Sequence, residues 1–202
     1  MGITVRQFEQ IQKRLQGGVR TAAPVLDQTR GWSASAHQVI LGIDPSLRGT
    51  GYGVIRAARP YPQTLVQGAI SCPAGWDRSR CLVKIAQSLR QTVQQYRPTV
   101  CVIEGIFYAQ NLQTAIIMGE ARGASLLCAA EAGLEIYEIA TRKVKQAIVG
   151  YGAAQKLAVA KMVQRMLRLA EPPGPDAADA LALALTYAQG QSRYGLSAPR
   201  RI

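Results

Sequence analysis

The sequence predicts an α/β fold, a mixed five-stranded sheet flanked by helices. Three observations predict it. Residues 39–71 hold three short apolar and β-branched runs separated by turn residues, the pattern of an antiparallel meander. From residue 77 onward, helical periodicities alternate with two further apolar runs, the pattern of strands joined through helices. The first of those two runs, Thr99–Glu104, is continuous rather than alternating, as expected of a strand covered on both faces.

The elements follow in order. Residues 1–37 differ from the rest: Val5, Phe8, Ile11 and Leu15 recur at helical spacing, and Thr4-x-x-Gln7 fits a capping box. Gly17-Gly18 ends that helix, and a linker containing Pro, Gly, Ser and Thr runs to His37. Two readings stand here: an amphipathic helix on a tether, or an extension without a role. The main domain is expected over 38–190, with a basic tail over 191–202. Its strands are Val39–Ile43, Gly51–Arg56 and about Leu65–Ser71. A helix from about Asp77 to Tyr96 places Leu82, Ile85, Leu89 and Val93 on one face, and Pro98 lies just past its end. Strand Thr99–Glu104, a long helix over roughly 110–132 and strand Leu134–Ile139 come next. Helices near Thr141–Val149, Ala153–Leu169 and Asp176–Ala188 complete the chain.

Composition narrows the chemistry. A chain of 202 residues fits one domain with one core, and no apolar run approaches the ~20 residues of a membrane span. The N-terminus lacks the basic-then-apolar pattern of a signal peptide. Cys72, Cys81, Cys101 and Cys128 are widely spaced, which suits free thiols in a reducing cytoplasm better than disulfides or a zinc site. His37 is the only histidine, so catalysis would rest on carboxylates or cations. The net charge of +12 points to a polyanionic partner such as nucleic acid or an acidic membrane surface, beside the plain reading that a high pI is common in small soluble proteins. Between Glu138 and Glu171 there is no acid, while Arg142, Lys143, Lys145, Lys156, Lys161, Arg165 and Arg168 all fall there. That stretch reads as a phosphate-facing surface or as a solvated basic face.

The acids carry the sharper signal. The run Val39–Ile43 ends in Asp44, followed by Pro-Ser-x-x-Gly, and Val100-Cys-Val-Ile ends in Glu104. Two buried neighbouring strands that each end in an acid bring two carboxylates to one edge of the sheet. An acid in such a place is costly unless a cation meets it. The last helix opens Asp176-Ala-Ala-Asp179, with both acids on one helical face. Asp176 also suits an N-cap or first-turn position; Asp179, just before the apolar Ala180-Leu-Ala-Leu-Ala-Leu run, suits it less. If the four converge, two charges ~4 Å apart repel by about 4 kcal/mol at an effective dielectric near 20. Oxygen ligands select hard ions, Mg²⁺ or Mn²⁺. A pair of such ions serves phosphodiester hydrolysis.

These stretches resemble the RuvC family of Holliday-junction resolvases, within the ribonuclease H-like superfamily. The likeness rests on Ile40–Ile55, on Val102-Ile-Glu-Gly-Ile-Phe107 and on Gly119-Glu-Ala-Arg-Gly123. It continues through Lys143–Lys156 and Asp176-Ala-Ala-Asp-Ala-Leu-Ala182, and spans about residues 38–190. The resemblance implies that Asp44, Glu104, Asp176 and Asp179 are metal-binding catalytic acids with two Mg²⁺ per site, Mn²⁺ serving as substitute. It implies that Phe107 stacks on a junction base, against the alternative of a core Phe, and that Lys145 and Lys156 contact the DNA backbone. Arg48 and Arg142 are further phosphate-contact candidates by charge and location. The family also implies a homodimer using the helix at 110–132, the RuvA–RuvB branch-migration complex as partner, four-way junction DNA as substrate and a cytoplasmic place in recombination and repair. The chain departs from the pattern in its 37 leading residues, in Ser46 where Gly is frequent, and in Gly105 where Gln is usual.

The expected function is therefore a Mg²⁺-dependent crossover junction endodeoxyribonuclease that nicks two strands symmetrically. A non-catalytic junction-binding protein is the alternative. An actin-like or sugar-kinase ATPase is a third reading, because Gly-Ile-Asp-Pro followed by Gly-Thr-Gly resembles that superfamily's first phosphate loop. Such enzymes need two related domains and a second Gly-rich loop, for which a core of about 150 residues is too short.

Overall fold

The computed structural model describes residues 38–105, 111–190 and 199–202, which belong to one compact unit. The extension at 1–37, most of the basic tail and Phe107 lie outside the described residues. The strands are β1 (Val39–Asp44), β2 (Gly49–Arg56), β3 (Gln63–Ser71), β4 (Val100–Glu104), β5 (Glu135–Ile139) and β6 (Arg200–Arg201). The helices are α1 (Arg78–Tyr96), α2 (Leu112–Glu131), α3 (Thr141–Val149), α4 (Lys156–Leu167) and α5 (Pro175–Gly190).

The strands form one mixed sheet in the order β3-β2-β1-β4-β5-β6. The meander β1-β2-β3 is antiparallel, β4 runs parallel to β1, and β5 runs parallel to β4. The sheet has six strands rather than five, because β6 adds antiparallel to β5 through Tyr137↔Arg201 and Glu138↔Arg200. Two arginines carry no β signal by themselves. The pairing is through the backbone, and an exposed ion pair accompanies it, with Arg201 Nη2 3.2 Å from Glu135 Oε1.

Strand parity decides which side chains share a face. Leu41 and Ile43 of β1, with Cys101 and Ile103 of β4, join Ile85, Leu89, Ala121 and Cys128 in the core beneath α1 and α2. The alternate residues of β1 and β4, including Gly42, Asp44 and Glu104, therefore face the other way. That opposite face is covered by α5, where residues 180–185 are all buried. Each fully buried leucine there (Leu181, Leu183, Leu185) contributes about 1.5–3 kcal/mol.

Glycines let α5 come this close. A Cβ on Gly42 would overlap the Ala180 carbonyl, and one on Gly51 would overlap the Asp176 carbonyl. A Cβ on Gly53 would stand 2.6 Å from Leu181 Cδ2. The turn between β1 and β2 is closed by buried Thr50, whose hydroxyl donates to the Ser46 carbonyl (2.5 Å) and accepts from the Ser46 amide (3.3 Å). All four cysteines are free and buried. Among the described residues, no helix is long and apolar enough to cross a membrane.

Candidate active site

Asp44 and Glu104 are neighbours by register. The parallel pairing of β1 and β4 runs through Ile43↔Ile103, so the next residue on each strand is an acid at the C-terminal edge of the sheet. In open α/β sheets this edge is where ligands bind. Their side chains share a hydrogen bond. Burial pushes the Asp44 carboxyl up to about 9, and the hydrogen bond and charge of Glu104 and the charge of Asp179 add to the rise, while Lys156 opposes it. Two adjacent carboxyls hold one proton between them because both cannot ionise cheaply in this setting.

The helix α5 brings the other two acids over the sheet. Asp179 lies within reach of Asp44 and Glu104, which raise or are raised by its charge. Burial raises its pKa, against the lowering effect of Lys156 and Lys145. Asp176 stands over the start of β2, its Oδ2 2.7 Å from where a Gly49 Cβ would be. Sequence reasoning placed these four acids together, and the structure brings Asp44, Glu104 and Asp179 into electrostatic contact, with Asp176 on their flank.

The cations divide into groups. Lys156, the first residue of α4, puts its Nζ 3.1 Å from Asp179 Oδ2. Asp179 first, and then Asp44 and Asp176, raise the Lys156 pKa. Lys145 of α3 is half-buried and faces Asp179. Arg142 is exposed, and its side chain lies over Gly152 in the α3–α4 turn. Tyr151 in that turn is exposed as well.

Arg48 is placed elsewhere. Its Nη1 donates to the Pro73 carbonyl (2.5 Å) and its Nη2 to the Trp76 carbonyl (3.0 Å). Its own carbonyl accepts from the Cys72 amide. Those two carbonyls fix the loop after β3 against Arg48, while the exposed guanidinium keeps further N–H groups. The acid-free stretch is also not one surface. Arg168, just past the end of α4, lies about 18 Å from Lys156 at 1.5 Å per residue. There its guanidinium stacks 3.5 Å over the Tyr61 ring.

Three residues beside the acids escaped sequence reasoning. Thr141 donates to Glu104 Oε1 at 2.6 Å. Arg122 of α2 is buried; it donates to the Glu104 carbonyl and, at 2.5 Å, to Glu138 Oε2. Removing one member of such a buried pair typically costs about 3–5 kcal/mol. A signal existed for Arg122: it is a lone cation on the small-residue face formed with Ala121, Ser125, Cys128 and Ala129. Glu138 lies one residue before the end of β5, opposite Ile103, and its place in the alternating Glu-Ile-Tyr-Glu-Ile run hid it.

The donor set fits a hard divalent cation. It contains only carboxylate oxygens, and the Asp44–Glu104 pair already holds a proton at the point where positive charge is wanted. As the side chains stand, no three of the described acids close around one point. Asp179 is turned to Lys156 and Glu104 to Thr141, so a cation would draw Asp179 away from the lysine.

Known proteins place this arrangement. The model of the crossover junction endodeoxyribonuclease RuvC family matches residues 40–187. The chain belongs to the RuvC family. A crossover junction endodeoxyribonuclease RuvC of Akkermansia muciniphila is 45% identical over 148 residues, covering 73% of this chain and 89% of that protein. The RuvC of Pseudomonas putida is 41% identical over 166 residues, covering 81% and 95%. Among solved structures, Thermus thermophilus RuvC in complex with a Holliday junction substrate superposes with a TM-score of 0.72 at 31% identity. That match covers 82% of this chain and all of the other. The yeast mitochondrial Holliday junction resolvase shares the fold at a TM-score of 0.54 and 11% identity. RuvC-family nucleases are metal-dependent in general.

Proposed function

We propose that this chain is a crossover junction endodeoxyribonuclease that resolves four-way DNA junctions by hydrolysing phosphodiester bonds. The observation that carries this is the convergence of Asp44, Glu104 and Asp179 on one sheet edge, beneath an α5 seated on glycines. Family membership and the junction-bound Thermus relative support it.

In this reading Asp44, Glu104, Asp176 and Asp179 are the catalytic acids and hold two Mg²⁺ ions, with Mn²⁺ as a substitute. Such ions, when bound, supply the acidity that activates water and the charge that stabilises the leaving oxygen. Asp44, which is in electrostatic contact with both Glu104 and Asp179, would be the acid most central to holding the ions. Thr141 orients Glu104 through its hydroxyl. Lys156 leaves Asp179 for the scissile-strand phosphate, and Lys145 and Arg142 hold neighbouring phosphates. Phe107, by resemblance, stacks on a base at the exchange point.

The protein acts as a homodimer. Leu112, Ile116 and Leu127 of α2 are exposed, at 77%, 50% and 53%. Gly119 and Gly123 lie between them with open space where a Cβ would be. This smooth apolar stripe suits a second copy of α2, and a two-fold protein matches a two-fold substrate. The nuclease domain spans 38–190, with 1–37 an extension and 191–202 a basic tail. The setting is cytoplasmic recombination and repair alongside the RuvA–RuvB complex.

Incubating the purified protein with an end-labelled four-way junction and Mg²⁺ tests the reading. Paired nicks that ligase can seal are expected. Tight junction binding with no product would favour the non-catalytic alternative.

A further inference from the structure

We infer that Arg122 and Glu138 form a positioning pair that sets the direction of Glu104 for metal binding. The inference rests on the proposed nuclease reading and extends it to residues outside the acid set.

The geometry is specific. Arg122 is 7% exposed, on the inner face of α2. Its Nη1 meets the Glu104 carbonyl, and its Nη2 lies 2.5 Å from Glu138 Oε2. The next residue, Gly105, donates its amide to the Ile139 carbonyl at 3.0 Å. A Cβ on Gly105 would stand 3.3 Å from Glu138 Cγ. The end of β4 is therefore gripped from two sides, by α2 through Arg122 and by the β5 backbone through Ile139, and the bare Gly105 leaves the room that the Glu138 stem takes. Arg122 grips the peptide unit that carries Glu104 itself. A guanidinium reaches two acceptors at once in a fixed plane, which an ammonium cannot do.

The pair also explains a local puzzle. A buried guanidinium beside a metal site would repel the metal if left unpaired. Glu138 neutralises it, and a second amino group of the same guanidinium meets the Glu104 carbonyl, for orientation rather than for charge. The grip fixes the backbone angle from which the Glu104 side chain leaves, and Thr141 then fixes its Oε1. A side chain so constrained meets a cation with little further loss of freedom, which is the source of affinity in a preorganised site.

Two conservative variants test this. Arg122→Lys keeps the charge and loses the fork; Glu138→Asp withdraws the acceptor by one methylene. For each, Mg²⁺ alone is titrated without DNA, and the rise in Tm gives metal affinity. Junction cleavage is then followed against Mg²⁺ concentration, and junction binding is measured in Ca²⁺. The expected result is metal affinity at least five-fold weaker in both assays, with junction binding within two-fold of the parent protein. A pair that merely stabilised the fold would lower the starting Tm and leave the Mg²⁺ dependence unchanged, and that result overturns the inference. If the parent protein shows no Mg²⁺-dependent cleavage, the nuclease reading fails first. If it cleaves and both folded variants match its Mg²⁺ dependence, only the role of Arg122 and Glu138 fails. Should one variant not fold by circular dichroism, the other decides alone.

Discussion

Lys156 Nζ lies 3.1 Å from Asp179 Oδ2, so a cation expected to contact DNA stands at the acids themselves. In this position it competes with a metal for Asp179. The lysine side chain is two-thirds exposed, so the pair is worth only about 0.5–1 kcal/mol. Lys156→Met is therefore expected to bind Mg²⁺ about two- to five-fold more tightly without DNA. The same variant should cleave junctions more slowly, because a phosphate contact is gone. Calorimetry with Mg²⁺ alone checks the first part; weaker or equal metal binding would show that Lys156 does not compete.

Asp44 makes the metal-free protein pH-sensitive. Its carboxyl titrates near 9 in the folded chain and near 3.9 when unfolded. Between those values the folded chain keeps a proton that the unfolded chain has lost. Stability therefore falls as pH rises through that window. Thermal scans in chelator should show Tm dropping between pH 5 and pH 8.5. Asp44→Asn should flatten that slope and raise Tm at pH 8 by roughly 3–6 °C, about 1–2 kcal/mol for a chain of this size. It should also reduce cleavage by at least about 10³-fold while junction binding persists. An Asp44→Asn protein that cleaves at the parent rate would remove Asp44 from the site.

The seam between α5 and the sheet tolerates no added methyl. Gly51→Ala would drive a Cβ into the Asp176 carbonyl, backbone against backbone. The expected cost is about 1–3 kcal/mol or more, with cleavage lost because both α5 acids shift. Gly75→Ala is the control, since nothing lies within 4 Å of its Cβ. Denaturant melts of the two variants make the comparison, and equal midpoints would contradict the packing described.

The α2 stripe predicts the assembly. Gly123→Arg places a charge in the middle of the apolar face. Sedimentation is expected to report a dimer for the parent and a monomer for the variant, and paired nicking should fall to single, uncoupled nicks. A monomeric parent protein would refute the dimer directly.

Much of this was legible because its signals are local. The run Val39–Ile43 with Asp44, and Val100–Ile103 with Glu104, name both the strands and the acids at their ends. Asp176 and Asp179 were legible from helical spacing. What stayed hidden depends on contacts between distant segments. Arg48 looks like any loop cation until Pro73 and Trp76 fold against it. Arg122 looks like a surface residue until β4 and β5 meet beneath α2. Strand β6 is two arginines that show as a strand only when β5, far away in the sequence, lies beside them.

The glycine seam has a consequence for how such a protein can change. Its four acids ride on two strands and one helix locked at backbone contact, so their spacing cannot drift without opening the core. The α3–α4 turn is under no such lock: with Tyr151 exposed and Gly150 at φ 97°, it holds none of the glycines that seat α5 and none of the four acids. Substitutions there meet no backbone seam, so the turn can vary while the spacing of the acids is inherited intact.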